Sequence, residues 1–199
     1  MKQNINNLRP ARAHTGFTLI EVMLVITLLG IFLAFALPSF NAVLQRYRVS
    51  TAAHRIADAL QFARAEAVRT RNNIAVGQAS APVDCTNGTP ANWQCGIDVY
   101  ATAGTPLKTV PASGLAAMNV QIVSNHAPGT TIAYSPMGYT VVGNAKGVDS
   151  FIYIWPAAMG TDPSDATRVT VIHTVCATLA GKVRTVASYI TNSADCTID

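Results

Sequence analysis

Three groups of residues in this chain have the types and spacings to do chemistry. Glu21 is a lone carboxylate in an otherwise apolar run from Phe17 to Leu37. A carboxylate in hydrocarbon is costly and marks a functional site with a counter-charge. Gly16 stands just before the run, after a leader with Lys2, Arg9 and Arg12 and no acid. A cut after Gly16 makes Phe17 a new amino terminus and Glu21 the fifth residue, so a neighbouring subunit's terminal amine is the natural partner of Glu21. An ion pair out of water forms only with close geometry, so this pair would test register when one subunit docks on another. The second group is Cys85, Cys95, Cys176 and Cys196. The third is Gly181-Lys182-Val183-Arg184. Positions i and i+2 of a strand share a face, so Lys182 and Arg184 would point one way. Lysine would offer a point charge and arginine a fork to phosphate. Arg168 is the best third contributor if a neighbouring antiparallel strand brings it near.

The elements that position these residues follow from pattern. The run from Phe17 to Leu37 has 21 residues, about 31 Å as a helix, close to the thickness of a bilayer's hydrocarbon. A secretory signal is cut after its apolar stretch, whereas here the cut would fall before it and the stretch would stay. The basic leader holds the amino terminus on the cytoplasmic side and places everything beyond Leu37 in the periplasm. Pro38 is expected to kink the helix. Beyond it Val49, Ala53, Ile56, Leu60, Ala63 and Ala67 recur at spacings of four and three, an apolar stripe expected to pack on the domain's own sheet, with Arg48, Arg55, Asp58 and Arg69 off it. Asn72-Asn73 is expected to end the helix.

Short strands broken by Gly, Pro, Asn and Ser follow: 74–76, 96–100, 119–124, 130–134, 151–155, 168–174 and 183–190. Residues 101–117, rich in Thr, Pro, Gly and Ala, read as a loop. The expected class is α+β, a long amino-terminal helix packed on a β-sandwich of antiparallel sheets. The expected division is a leader over 1–16, a transmembrane helix over 17–37, its periplasmic continuation over 38–73 and a β-rich domain over 74–199.

Charge and cysteines narrow the class further. The net charge of +4 is misleading, because losing Lys2, Arg9 and Arg12 takes 14 basic residues to eleven against 10 acidic. No global basic field argues for nucleic acid, so such binding would rest on a local patch. Four cysteines on the periplasmic side read as two disulfides with three possible connectivities. Cys85–Cys95 with Cys176–Cys196 is the simplest, since it closes two local loops. No Cys-x-x-Cys occurs and His14, His54, His126 and His173 are scattered, so neither a metal nor a cofactor is expected. There is no Gly-x-Ser-x-Gly elbow, phosphate-binding glycine loop or His-Glu-x-x-His helix, so an enzyme is not expected.

Gly16-Phe17-Thr18-Leu19-Ile20-Glu21 resembles the processing site of type IV pilins and type II secretion pseudopilins, with His14-Thr15 where many members carry Lys or Arg. The resemblance implies a prepilin peptidase that cuts after Gly16 and methylates Phe17, with Glu21 as the assembly carboxylate. It implies as partners the peptidase, other pilins or pseudopilins met through the amino-terminal helix, and the inner membrane. Phe62-Ala63-Arg64-Ala65-Glu66-Ala67-Val68-Arg69, Trp93-Gln94-Cys95-Gly96-Ile97, Ile132 to Gly138, Arg168-Val169-Thr170-Val171 and Gly181-Lys182-Val183-Arg184 resemble the FimT/GspH branch. That branch includes subunits whose Gly-Arg-x-Arg motif binds DNA during natural transformation. Here Lys182 replaces the first arginine, keeping the charge and losing the fork. The resemblance thus implies either a minor type IV pilin, incorporated into or priming a pilus, that binds double-stranded DNA, or a minor pseudopilin, a structural tip subunit of a type II secretion system. Two or three phosphate contacts give a salt slope of only about −2 to −3, and nothing here reads base sequence.

Overall fold

The computed structural model describes residues 16–79, 93–101, 105–127, 129–143, 145–147, 149–160 and 171–196, with the side chains of 34–39, 94, 112, 116 and 193 outside the description. Helix α1 runs Leu19–Thr70. Two compact units share it, 1–42 and 43–199. In the first, Thr18 opens the helix: the Glu21 amide donates to the Thr18 carbonyl at 3.1 Å and lies 3.4 Å from its hydroxyl. A threonine before the helix with glutamate three residues on is the pattern of a reciprocal amino-terminal cap. The apolar side chains of this unit, Leu19 to Leu33, are exposed. Among the described residues no helix is long and apolar enough to cross a membrane. The side chains of 34–39, which belong to the run from Phe17 to Leu37, lie outside the described residues.

In the second unit Val49, Ala53, Ile56, Leu60, Ala63 and Ala67 are all fully buried. Ala52 and Ala59 join them, widening the stripe to three or four residues per two turns, as a core-facing helix requires. Alanine at five of these eight positions lets a backbone come close, while Ile56 and Leu60 each contribute about 1.5–3 kcal/mol of burial. The helix stops two residues before Asn72, because Arg71 takes a left-handed conformation at φ 56°. That conformation breaks the hydrogen-bond ladder and costs a non-glycine residue about 1–2 kcal/mol.

The strands are β1 Ile74–Gln78, β2 Gly96–Tyr100, β3 Pro106–Pro111, β4 Val120–Ser124, β5 Ile132–Tyr134, β6 Thr140–Val142, β7 Ala145–Lys146, β8 Ser150–Pro156, β9 His173–Ala177 and β10 Val183–Val186. They form two antiparallel sheets, of order β3-β2-β1-β5-β6-β7 and β10-β9-β8-β4. Residues of both sheets join the helix stripe in one core. Strand β8 is buried along its whole length and divides its side chains. Ile152 and Ile154 enter the common core, while Phe151, Tyr153 and Trp155 enter a second cluster with Ile172, Cys176, Ile190 and Cys196. The period-two alternation of a strand thus serves two cores at once.

Three expectations are corrected. Residues 101–117 are not a loop: they hold β3 and a short helix, α2 Ala112–Ala116, whose Leu115 is fully buried. Prolines at both ends of β3 masked it, yet they are tolerated because β3 is an edge strand. The strand expected over 168–174 is His173–Ala177 in the described residues, since Val171 and Ile172 enter the cores before pairing begins. The strand expected over 183–190 ends at Val186, and the chain then folds over the outer face of its own sheet.

Candidate functional site

The hairpin joining β9 to β10 carries the basic pair. The Thr178 amide donates to the Lys182 carbonyl at 2.9 Å, and the Gly181 amide donates to the Thr178 carbonyl at 2.6 Å. Arg184 lies opposite Cys176, and Lys182 opposite Thr178 continues that register by one pair. Lys182 and Arg184 are therefore on one side of the ribbon. Lys182 is exposed. Arg184 is half-buried and already engaged in interactions of its own. Arg168 lies outside the described residues.

The turn rests on a second turn, Ser135 to Tyr139, where the Gly138 amide donates to the Ser135 carbonyl at 2.8 Å. Gly181 has φ 75°, and a Cβ there would stand 1.7 Å from the Gly138 carbonyl oxygen. Only glycine satisfies both the left-handed backbone and that approach. Arg64 of α1 closes the joint. Its guanidinium donates to the Ala180 carbonyl at 3.1 Å and lies within 3.3 Å of where a Cβ would stand on either glycine. Thr140 adds its hydroxyl to the Thr178 carbonyl at 3.2 Å, and the Leu179 amide donates to the Asp149 carboxylate at 2.8 Å. Arg64, Gly138 and Gly181 belong to three separate sequence motifs that the fold brings into one contact. Sequence reading missed the joint, although glycines ending two different turns were its signal.

The fully buried Tyr134 lies within the electrostatic reach of Arg64. Burial raises its hydroxyl's pKa well above the ordinary tyrosine value, and the Arg64 charge opposes that only in part. On the outer face the Cys176–Cys196 disulfide pins the carboxyl-terminal tail to β9. The Tyr153 hydroxyl donates to the Ile190 carbonyl at 3.0 Å. Burial, then the neighbouring Tyr189, push its pKa up to about 12. Cys95 is disulfide-bonded, and Cys85 lies outside the described residues.

At the amino-terminal junction the geometry is open. Among the described residues Gly16 has no neighbour within 4 Å of where a Cβ would stand, and Phe17 is 81% exposed. Glu21 occupies the first turn of α1, where the helix dipole favours a carboxylate. Among the described residues no group of three or more His, Cys, Asp or Glu could hold a metal.

A long amino-terminal helix on two antiparallel sheets, headed by a glycine–phenylalanine junction and a first-turn glutamate, defines a pilin-like subunit. The chain belongs to the family described as type II transport protein GspH, whose pattern matches residues 52–172. The prokaryotic N-terminal methylation motif matches residues 11–37. Proteins of this kind are structural subunits rather than enzymes. The type IV major fimbrial protein FimA of Dichelobacter nodosus is 36% identical over 92 residues, 46% of this chain and 52% of that protein. The chain thus spans about half the length of the curated relatives it matches. The type IV minor pilin FimU of Pseudomonas aeruginosa shares the fold, with TM-score 0.51 and 18% identity over 70% of this chain and 88% of that one.

Proposed function

We propose that the chain is a minor type IV pilin that binds DNA without sequence preference through the β9–β10 hairpin, in support of natural transformation. A prepilin peptidase cuts after Gly16 and methylates Phe17. The run from Phe17 to Leu37 anchors the subunit in the inner membrane, with the domain on the periplasmic side. Glu21 then meets the terminal amine of a neighbouring subunit during assembly. One observation supports the processing role of Gly16: among the described residues nothing lies within 4 Å of where a Cβ would stand there.

The observation that carries the DNA reading is the placement of Lys182, exposed beside a rigidly seated turn and on the same side of the ribbon as Arg184. A fixed turn presents its charge without paying to order a loop. Two contacts bind weakly, so several subunits on one DNA molecule would supply the useful affinity. The test is titration of duplex DNA against the processed full chain in detergent, from about 50 to about 200 mM salt, with a log–log slope near −2 expected for two neutralised phosphates. The Lys182→Ala/Arg184→Ala variant should abolish binding. No binding by the parent chain at the lowest salt would refute the reading.

A second reading is supported by the demand for glycine at 181 and the engagement of Arg184. Both give the motif a role in the fold alone. On that reading the chain is a minor pseudopilin of the H type, a structural tip subunit of a type II secretion system.

A further inference from the structure

The exposed apolar side chains of the domain are gathered at one place. Beyond residue 48 six large hydrophobics are exposed among the described residues, and four of them, Val68, Met137, Tyr139 and Leu179, surround the joint between the two turns. A Cβ on Gly138 would meet Val68 at 3.5 Å, and one on Gly147 would meet Leu179 at 3.4 Å. Beside them opens a groove of about 510 Å³, walled by Pro136, Met137, Tyr139 and Val141 with Lys146 at its edge. Scattered exposed hydrophobics need no explanation, but a contiguous apolar patch with a polar rim marks an interaction site. Met137, at 81% exposure, is the side chain that folding most conspicuously fails to cover.

We infer that this surface docks a neighbouring subunit of different sequence, which lays an apolar side chain in the groove and sets a carboxylate against Lys146. The charge pattern selects the occupant. Lys146 lines the groove, Lys182 is exposed in the same hairpin as Leu179, and among the described residues no carboxylate lines the groove. Two such faces would repel each other, which disfavours symmetric self-association. Among the described residues a second copy offers few uncommitted carboxylates from another face. Among the described residues of the domain, Glu66 pairs with Arg69, Asp98 accepts from Thr109 and Asp149 accepts from Leu179, which leaves Asp58 and Asp195. DNA is disfavoured as occupant of the groove because the lining, although it includes Asn73, Ser135 and Tyr139, carries a single cation among the described residues, and binding of a polyanion scales with phosphates neutralised. The patch is also preorganised, since the Gly138–Gly181 contact and Arg64 fix both turns before a partner arrives. This inference rests on the subunit reading and not on DNA binding, so loss of either leaves the other standing.

The test places a photo-crosslinking benzophenone side chain at position 137 of the full chain, in cells that process and assemble it, with position 107 as an exposed apolar control. The expected result is an adduct with a second pilin-like subunit, roughly tenfold above the control, that Lys146→Glu lowers by about tenfold through reversal of an interfacial charge. Lys146 is exposed, so cellular abundance of that variant should match the parent and separate lost docking from lost folding. Equal adducts at 107 and 137, an adduct only with a second copy of this chain, or a nuclease-sensitive adduct alone would each overturn the inference.

Discussion

Gly16 and Gly181 are the same residue type in two regions, and the structure treats them in opposite ways. A Cβ on Gly16 would meet nothing within 4 Å among the described residues. A Cβ on Gly181 would stand 1.7 Å from the Gly138 carbonyl oxygen, at φ 75°. Among the described residues nothing packs where a side chain at 16 would stand, which fits the proposed processing role. Everything around 181 asks for glycine, with or without DNA. A motif resemblance that begins on Gly181 therefore draws no support from that glycine, and the DNA reading stands on Lys182 and Arg184 alone.

The sharpest way to break this contrast is to add one methyl group at each site. Gly181→Ala incurs left-handed backbone strain of about 1–2 kcal/mol and overpacking of about 1–3 kcal/mol, so denaturant unfolding should show a loss of roughly 2–5 kcal/mol. Gly16→Ala should leave the unfolding midpoint unchanged, and intact mass should reveal the leader retained. Equal, small effects on stability would show that the two turns can separate without cost. Next in size is the staple on the outer face. Cys176 and Cys196 close a loop with a sequence separation of 20, for which loop entropy predicts about 3 kcal/mol. Cys176→Ser/Cys196→Ser should lose that much and expose the tail from Tyr189 to proteolysis, while α1 stays protected.

Arg64→Ala tests the joint with a gentler hand. It removes the donor to the Ala180 carbonyl and the packing against both glycines. A charged hydrogen bond at a partly exposed site is worth about 1–2 kcal/mol. Arg64→Lys should recover only part of it, because a compact ammonium cannot cover two turns as the planar fork does. Recovery of full stability by lysine would show that charge alone matters there.

The sequence was legible where one period ruled a long stretch. The six stripe positions from Val49 to Ala67 are all fully buried, and 96–100 is a strand over its full length. It was illegible where short elements obey their neighbours. Proline-bounded β3, three-residue β6 and two-residue β7 carry too few residues for alternation to show, and pairing in the sheet alone makes them strands. The charged pair was readable as a local spacing. The joint was not, because Arg64, Gly138 and Gly181 are separated by scores of residues and meet only through tertiary packing. Position 21 also has a local role, since its amide lies 3.4 Å from the Thr18 hydroxyl that opens the helix.

The smallest expected effect separates the sheets from the helical arm by pH. His126 and His173 both lie in the sheet unit, and burial lowers the pKa of each below the ordinary 6.5, with the nearby His54 charge adding to the effect on His173. A lowered histidine pKa means that the unfolded chain takes up the proton first. Stability is then fully present above about pH 6.5 and declines as pH falls toward the folded values, by no more than about 1.4 kcal/mol per pH unit for each histidine. Glu66 lies on the acid side of that window. Its hydrogen bond to Arg69 lowers its pKa from 4.5, so its contribution is lost only below that value. Thermal unfolding between pH 7 and 5 should therefore show a shallow decline that His126→Gln/His173→Gln flattens, while helicity of the arm stays level over the same range. A decline that survives the double substitution would place the titrating groups outside the two sheets.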